Sequence, residues 1–168
     1  MKIKVKLFNK RCKFESIKKG DWIDLRAASG VILDAPYAER ARKDEDRQVK
    51  FETYLIPLGI GMQLPEGYEA VVVPRSSTFK NYKVLQANSF GVIDNSYSGP
   101  NDQWMMPVIA LERSVINEWD RLCQFRIQLS QKATIWQKIK WLFTNKIKFE
   151  FVDDYKGEDR CGFGSTGK

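Results

Sequence analysis

Residues 123–129 read CQFRIQL, with Cys123, Phe125, Ile127 and Leu129 on one face and Gln124, Arg126 and Gln128 on the other. Alternation of this kind requires a strand with one buried face. It also fixes the register, because a slip of one residue would turn the whole apolar set into water. The chain opens in the same way. In KIKVKL (2–7), Ile3, Val5 and Leu7 face a core while the lysines face water, a composition suited to an edge strand. Further strands read at 50–64, 68–73, 106–111 and 147–152, with a strand-like WIDL at 22–25. Gly, Pro and Asn turns such as PEG (65–67) separate them. Many short strands so punctuated predict an all-β sandwich or barrel. A length of 168 residues with 43% hydrophobic content suits one domain with its own core.

Two segments break the rhythm. Residues 34–48 are dense in mixed charge and predict an exposed loop or short helix. Residues 133–146 carry Ile135, Ile139, Leu142 and Phe143 at helical spacing, with Lys138 and Lys140 adding a basic side. The first expectation is a short helix packed on the barrel; the other is a membrane-surface or partner-binding helix. The last residues, 159–168, are rich in Gly, Ser and Thr and predict a mobile tail without a packed element. The expected division is a β-domain over 1–158, with an insertion at about 133–146, followed by that tail.

The net charge of +7 fits an anionic partner: nucleic acid, a nucleotide or a membrane surface. No basic stripe interleaved with aromatics marks a nucleic-acid module, so weak, salt-dependent binding is the most to expect there. The chain has no histidine, which excludes Ser–His and Cys–His catalysis. Three scattered cysteines (Cys12, Cys123, Cys161) without a CxxC argue against zinc. They fit reduced thiols and a cytoplasmic protein. The N-terminus lacks the apolar core of a signal peptide, and no apolar run approaches the ~20 residues of a membrane span.

The candidate chemistry lies in three places. In the tail, Gly162, Gly164 and Gly167 let backbone approach a ligand closely. Ser165 and Thr166 offer donors, Arg160 a fork suited to phosphate, and Phe163 a face for a planar base. Arg75, Ser76 and Ser77 offer donors to an anion, and Gln124 points from the polar face of its strand toward phosphate or solvent. The stretch FGVIDNSYSG (90–99) reads as a tight β-hairpin with fixed main-chain donors and acceptors. Upstream, Asn88 both donates and accepts, as reading a pyrimidine edge requires. Asp94 suits orientation of a water as general base. Tyr97 suits a flat contact with a sugar, where a 2′-hydroxyl would clash.

Taken together, WIDLRA (22–27), PRSSTFK (74–80), NSFGVIDNSYSG (88–99), DRLCQ (120–124) and DRCGFGSTG (159–167) resemble the five ordered motifs of trimeric dUTPases of bacteria and their phages. The resemblance implies a distorted jelly-roll barrel, a homotrimer and active sites at subunit interfaces. It implies hydrolysis of dUTP to dUMP and pyrophosphate, which limits uracil in DNA and supplies dUMP. Asp94 would activate the water. Asn88, with the hairpin backbone at Gly91 and Ile93, would hold uracil, and Tyr97 would exclude ribose. Arg75, Ser76, Ser77 and Gln124 would contact the phosphates. Asp24 would help place Mg2+ through its water shell. Arg160, Phe163, Gly164, Ser165 and Thr166 would close over the nucleotide as a lid, which in this family usually comes from a neighbouring subunit.

This chain departs from the pattern at Trp22 and Trp119, where the family often has Gly before the first and fourth motifs' key residues. Two other readings share the fold. A dCTP deaminase relative would need an acid/base group near the base that the hairpin does not offer. A nucleotide-sensing regulator would bind a protein partner through 34–48 or 133–146.

Overall fold

The computed structural model describes residues 1–15, 20–39, 46–144, 146–160 and 162. Its strands are β1 (Lys2–Leu7), β2 (Ile23–Arg26), β3 (Val31–Leu33), β4 (Tyr37–Ala38), β5 (Val49–Lys50), β6 (Thr53–Pro57), β7 (Ile60–Gln63), β8 (Tyr68–Pro74), β9 (Val84–Gln86), β10 (Gly91–Asp94), β11 (Met105–Ala110), β12 (Ser114–Ile116), β13 (Arg121–Leu129) and β14 (Lys148–Val152). The α-helices are α1 (Thr78–Tyr82) and α2 (Ile135–Phe143).

A four-stranded antiparallel sheet in the order β10-β8-β13-β2 carries most of the expected site. Its register follows the alternation along β13. Phe125 pairs with Val72 and Ile127 with Ala70, so the apolar rows of both strands fall on one face. Phe125 lies fully buried there and meets the rings of Phe14 and Trp104 edge-on at 5.4 and 5.3 Å. The sheets β14-β1-β7 and β6-β11-β9 and the ribbons β12-β3 and β4-β5 complete the all-β body, and no single ladder closes it among the described residues. Cys12 and Cys123 are buried free thiols, and burial pushes both thiols up.

Four local expectations change. The lysine-bearing β1 is no edge strand: it runs parallel to β14 on one side and antiparallel to β7 on the other. Ile3 and Val5 are wholly buried, and Lys2 and Lys4 face outward. The stretch 90–99 does not fold back on itself as a hairpin. Its strand β10 pairs with β8, while the preceding β9 pairs with β11 in another sheet. The chain turns only at its far end, where Tyr97 N–H donates to Asp94 C=O at 3.1 Å. Residues 34–48 contribute β4, which pairs with β5; 40–45 lie outside the described residues.

The helix at 133–146 forms, but its predicted apolar stripe does not pack on the body. Ile135, Leu142 and Phe143 are mostly exposed. The docked side is the opposite one. Gln137 Nε2 donates to Glu66 C=O at 2.8 Å, and the Trp141 ring meets Tyr68 at 5.7 Å. Gly67 permits this approach with φ +81°, a conformation that side chains rarely adopt.

Candidate functional site

The structure divides the expected site residues between two corners of the four-stranded sheet. At the β10 corner a cavity of about 220 Å³ is bordered by Asn88, Gly91, Ile93 and Tyr97. Val72 and Met105 add apolar wall, and Arg160 and Gly162 reach it from the C-terminal segment. Gln86, nearly buried between the strands, donates from Nε2 to Asn88 Oδ1 at 2.9 Å. That bond leaves the Asn88 amide N–H donors for a ligand carbonyl. Tyr97 Oη donates to Gln103 C=O at 2.8 Å, which fixes the ring. Gly162 lies against it: an added Cβ would stand 3.0 Å from Tyr97 Cε2.

Asp94 ends β10, the next residue along from Ile93. Its partial burial works to raise the carboxyl, but hydrogen bonds from the Ser96 hydroxyl and backbone N–H, then Arg160, hold it below the usual carboxylate range. Arg160 Nη1 stands 3.4 Å from Asp94 Oδ1 and donates to Ser96 Oγ at 2.8 Å. The group is therefore an anion at neutral pH, aligned by the Ser96 and Arg160 donors that all reach its Oδ1.

Arg160 was expected to meet phosphate, and here it meets the 94–96 turn of its own chain. The cause lies just before it. The Arg160 backbone N–H donates to the buried Asp102 carboxylate at 3.0 Å. Asp159 accepts from Asn101 N–H at 2.8 Å and from its side-chain amide at 2.7 Å. Gly99 leaves room for this crossing, since an added Cβ would fall 2.5 Å from Asp159 Cα. Phe163, Gly164, Ser165 and Thr166, expected to form the lid, lie outside the described residues.

At the other corner, Asp24 on β2 pairs in register with Gln124 on β13. Arg75 Nε donates to Asp24 Oδ1 at 2.8 Å and Arg121 Nη1 to Oδ2 at 3.3 Å. Arg75 Nη1 also reaches Ser77 Oγ at 3.4 Å, and Ser76 is exposed beside it. Gln124 Nε2 donates to Pro74 C=O at 3.4 Å. The turn is held from below by Thr78, whose buried hydroxyl accepts from Arg75 N–H and donates to Leu122 C=O at 2.6 Å. Asp24, Arg121 and Gln124 open on a groove of about 640 Å³.

The register separates the two corners. Asp94 pairs with Glu69, and Asp24 lies level with Val73, three strands across and four residues along. At normal strand spacing and rise that places their backbones about 20 Å apart. Sequence reasoning missed Gln86, Ser96, Asp102 and Arg121. Ser96 and Arg121 stood inside quoted motifs; Gln86 and Asp102 gave no local signal, because their roles come from strands and loops distant in sequence.

An all-β body thus carries a cavity of about 220 Å³ beside an aligned carboxylate at one corner of a sheet, and an aspartate held by two arginines at another. The family model described as dUTPase matches residues 34–140. An SPbeta prophage-derived deoxyuridine 5'-triphosphate nucleotidohydrolase, YosS, of Bacillus subtilis (strain 168) is 44% identical over 99% of both chains. A deoxyuridine 5'-triphosphate nucleotidohydrolase of Finegoldia magna is 33% identical over 76% of this chain and 81% of its own. The fold matches the crystal structure of a dUTPase from Streptococcus mutans with a TM-score of 0.61 at 18% identity, covering 74% of this chain and 94% of that one. A dUTPase mutant from phage phi11 of S. aureus, described for its coordination of a structural Mg(II) ion, matches with a TM-score of 0.58 at 16% identity, covering 79% and 94%. The chain belongs to the dUTPase family.

Proposed function

We propose that the chain hydrolyses dUTP to dUMP and pyrophosphate, with Asp94 orienting the water that attacks the α-phosphorus. The observation that carries this is the cavity walled by Asn88, Gly91, Ile93 and Tyr97, with the aligned Asp94 carboxylate next along the same strand. Uracil would lie against the β10 backbone, its carbonyl accepting from Asn88. The deoxyribose would lie on Tyr97, whose tethered ring cannot yield to a 2′-hydroxyl. The water oxygen bonds to the α-phosphorus, the bond to the bridging oxygen of the β-phosphate breaks, and pyrophosphate leaves with that electron pair. Asp94 takes the proton of the water. A carboxylate held below its usual range is a weak base. Its value lies in alignment, which suits a phosphoryl transfer whose demands are positioning and charge neutralisation.

The Asp24 corner would receive the phosphates through Arg75, Ser76, Ser77 and Gln124. No group of three or more metal-binding side chains comes together among the described residues. Both oxygens of Asp24 already accept from arginines, so an outer role through water fits it better than direct ligation. Such a donor set suits a Mg2+ carried by the triphosphate, which would neutralise phosphate charge. The water held by Asp94 must stand within hydrogen-bond reach of it, and within one chain the backbones of the two corners lie about 20 Å apart, a long span for one nucleotide. This supports a homotrimer in which each site takes its β10 corner and its β2 corner from different subunits.

The test is pyrophosphate release from dUTP, dCTP, dTTP and UTP with Mg2+. Release from dUTP alone, reduced roughly 10²–10⁴-fold in Asp94→Asn, is the expected result. Full turnover by Asp94→Asn would overturn the assignment of the water.

A further inference from the structure

We propose that the outward face of α2 is a docking surface for an anionic phospholipid layer. At 100° per residue, Ile135, Trp136, Ile139, Leu142 and Phe143 fall within an arc of about 120°. This is the face turned away from the body. Trp136, Leu142 and Phe143 are 76, 83 and 86% exposed, far beyond what a helix buried by its own domain leaves open.

The helix is held from behind and needs no partner to form. Gln137 anchors it to Glu66 C=O, and Trp141 to Tyr68. Its first turn is closed by a capping box: Thr134 Oγ1 accepts from Gln137 N–H at 3.2 Å, and Gln137 Oε1 accepts from Thr134 N–H at 2.7 Å. The ordering entropy that binding would otherwise cost is therefore already spent in folding.

Charge decides the occupant. Lys138 and Lys140 border the apolar arc on its two sides. The segment 131–148 carries Lys132, Lys138, Lys140, Lys146 and Lys148 and no acidic residue. An apolar arc with aromatics, edged by lysines whose stems can lie along it while their heads reach outward, is the pattern of a helix lying in a bilayer interface. Three of the five apolar side chains are aliphatic and the face is convex, which disfavours a base-stacking platform for single-stranded nucleic acid. A lipid surface needs no groove of matching shape, whereas an acidic protein groove would.

The experiment is flotation of the full chain with vesicles of phosphatidylcholine alone and of phosphatidylcholine with phosphatidylglycerol. The wild type, Leu142→Ser/Phe143→Ser and Lys138→Gln/Lys140→Gln are compared. All four positions are on the surface and outside the nucleotide site, so dUTP hydrolysis should stay within about twofold of wild type. Loss of hydrolysis in the wild type would count against the hydrolase reading and leave this one standing. The expected result is flotation with the anionic vesicles only, weakened by salt and reduced about tenfold or more in each variant. Wild type that stays off anionic vesicles at low salt, or variants that bind as it does, would overturn the proposal. So would a lower solution mass for the Leu142→Ser/Phe143→Ser variant, which would show a second copy on this face. Binding of a soluble acidic protein in place of the vesicles would do the same.

Discussion

The β10 and β2 corners of one sheet treat charge in opposite ways. At β10 a single carboxylate takes donors that keep it anionic, beside a cavity walled in part by apolar side chains. At β2 a carboxylate is covered by two guanidiniums, and the surroundings are an open, charged groove. In the proposed reaction the first arrangement orders the base and one water, and the second presents arginines already positioned to the phosphates. On that reading nucleoside and triphosphate pose different problems, and the sheet keeps their solutions apart.

The sharpest way to break this comparison is to cripple each corner in a different chain. Asp94→Asn and Arg75→Ala are each expected to lose most turnover alone. If every site draws its corners from two subunits, refolding the two variants together restores activity to about a quarter of wild type, because some sites then combine two intact corners. No recovery from a mixed oligomer would place both corners of a site in one chain.

A smaller effect is expected from Arg75→Ala by itself. It removes charge-assisted bonds to Asp24 and to the expected phosphates, so kcat/KM for dUTP should fall roughly 10–100-fold. Binding of deoxyuridine, which has no phosphate, should not change. A matching loss of deoxyuridine affinity would mean that the corners are not separate.

Protonation offers a further check on the β10 corner. Asp94 has its carboxyl lowered in the folded chain, so the stabilising interactions of its ionised form persist above the ordinary aspartate range and are lost as pH falls through the lowered value. The acid limb of kcat/KM should therefore lie below the usual carboxylate range. Ser96→Ala removes a hydrogen bond that favours the anion, so the limb should move to higher pH. An unmoved limb would mean that Asp94 is not the group titrating there.

Period-two alternation foretold β1, β13 and β14, because each turns one face inward and the pattern reports burial directly. It could not foretell sheet order. The lysines of β1 resemble those of an edge strand, yet β14, distant in sequence, covers that side. For the same reason the β10 stretch looked like a local hairpin when its true partner was β8. The helical stripe of α2 was legible as a period but not as a direction, since apolar spacing says which residues share a face and not what the face meets. At the site, motif order drew attention to Asn88, Asp94, Tyr97, Asp24 and Arg75. Gln86 and Asp102 act across strands and loops, so only the fold reveals them.

The departure at Trp119 now has a physical reading, and it supplies the smallest predicted effect. Trp119 adopts φ +74°, a left-handed conformation that glycine reaches freely and tryptophan does not. It is held there by its N–H to Ala27 C=O at 2.9 Å, by Arg26 Nη1 donating to its carbonyl at 2.6 Å, and by the Arg11 guanidinium 5.2 Å over its ring. The strain therefore sits beside β2, at the Asp24 corner, and the ring contact partly offsets it. Trp119→Gly loses the contact and the strain together, whereas Trp119→Ala loses the contact and keeps the strain. Trp119→Ala should therefore be the less stable of the two, by about 1 kcal/mol in denaturant unfolding. Neither change should alter deoxyuridine binding at the β10 corner. If the two variants unfold at the same denaturant concentration, the left-handed backbone at residue 119 stores no strain, and the glycine usual in relatives has some other cause.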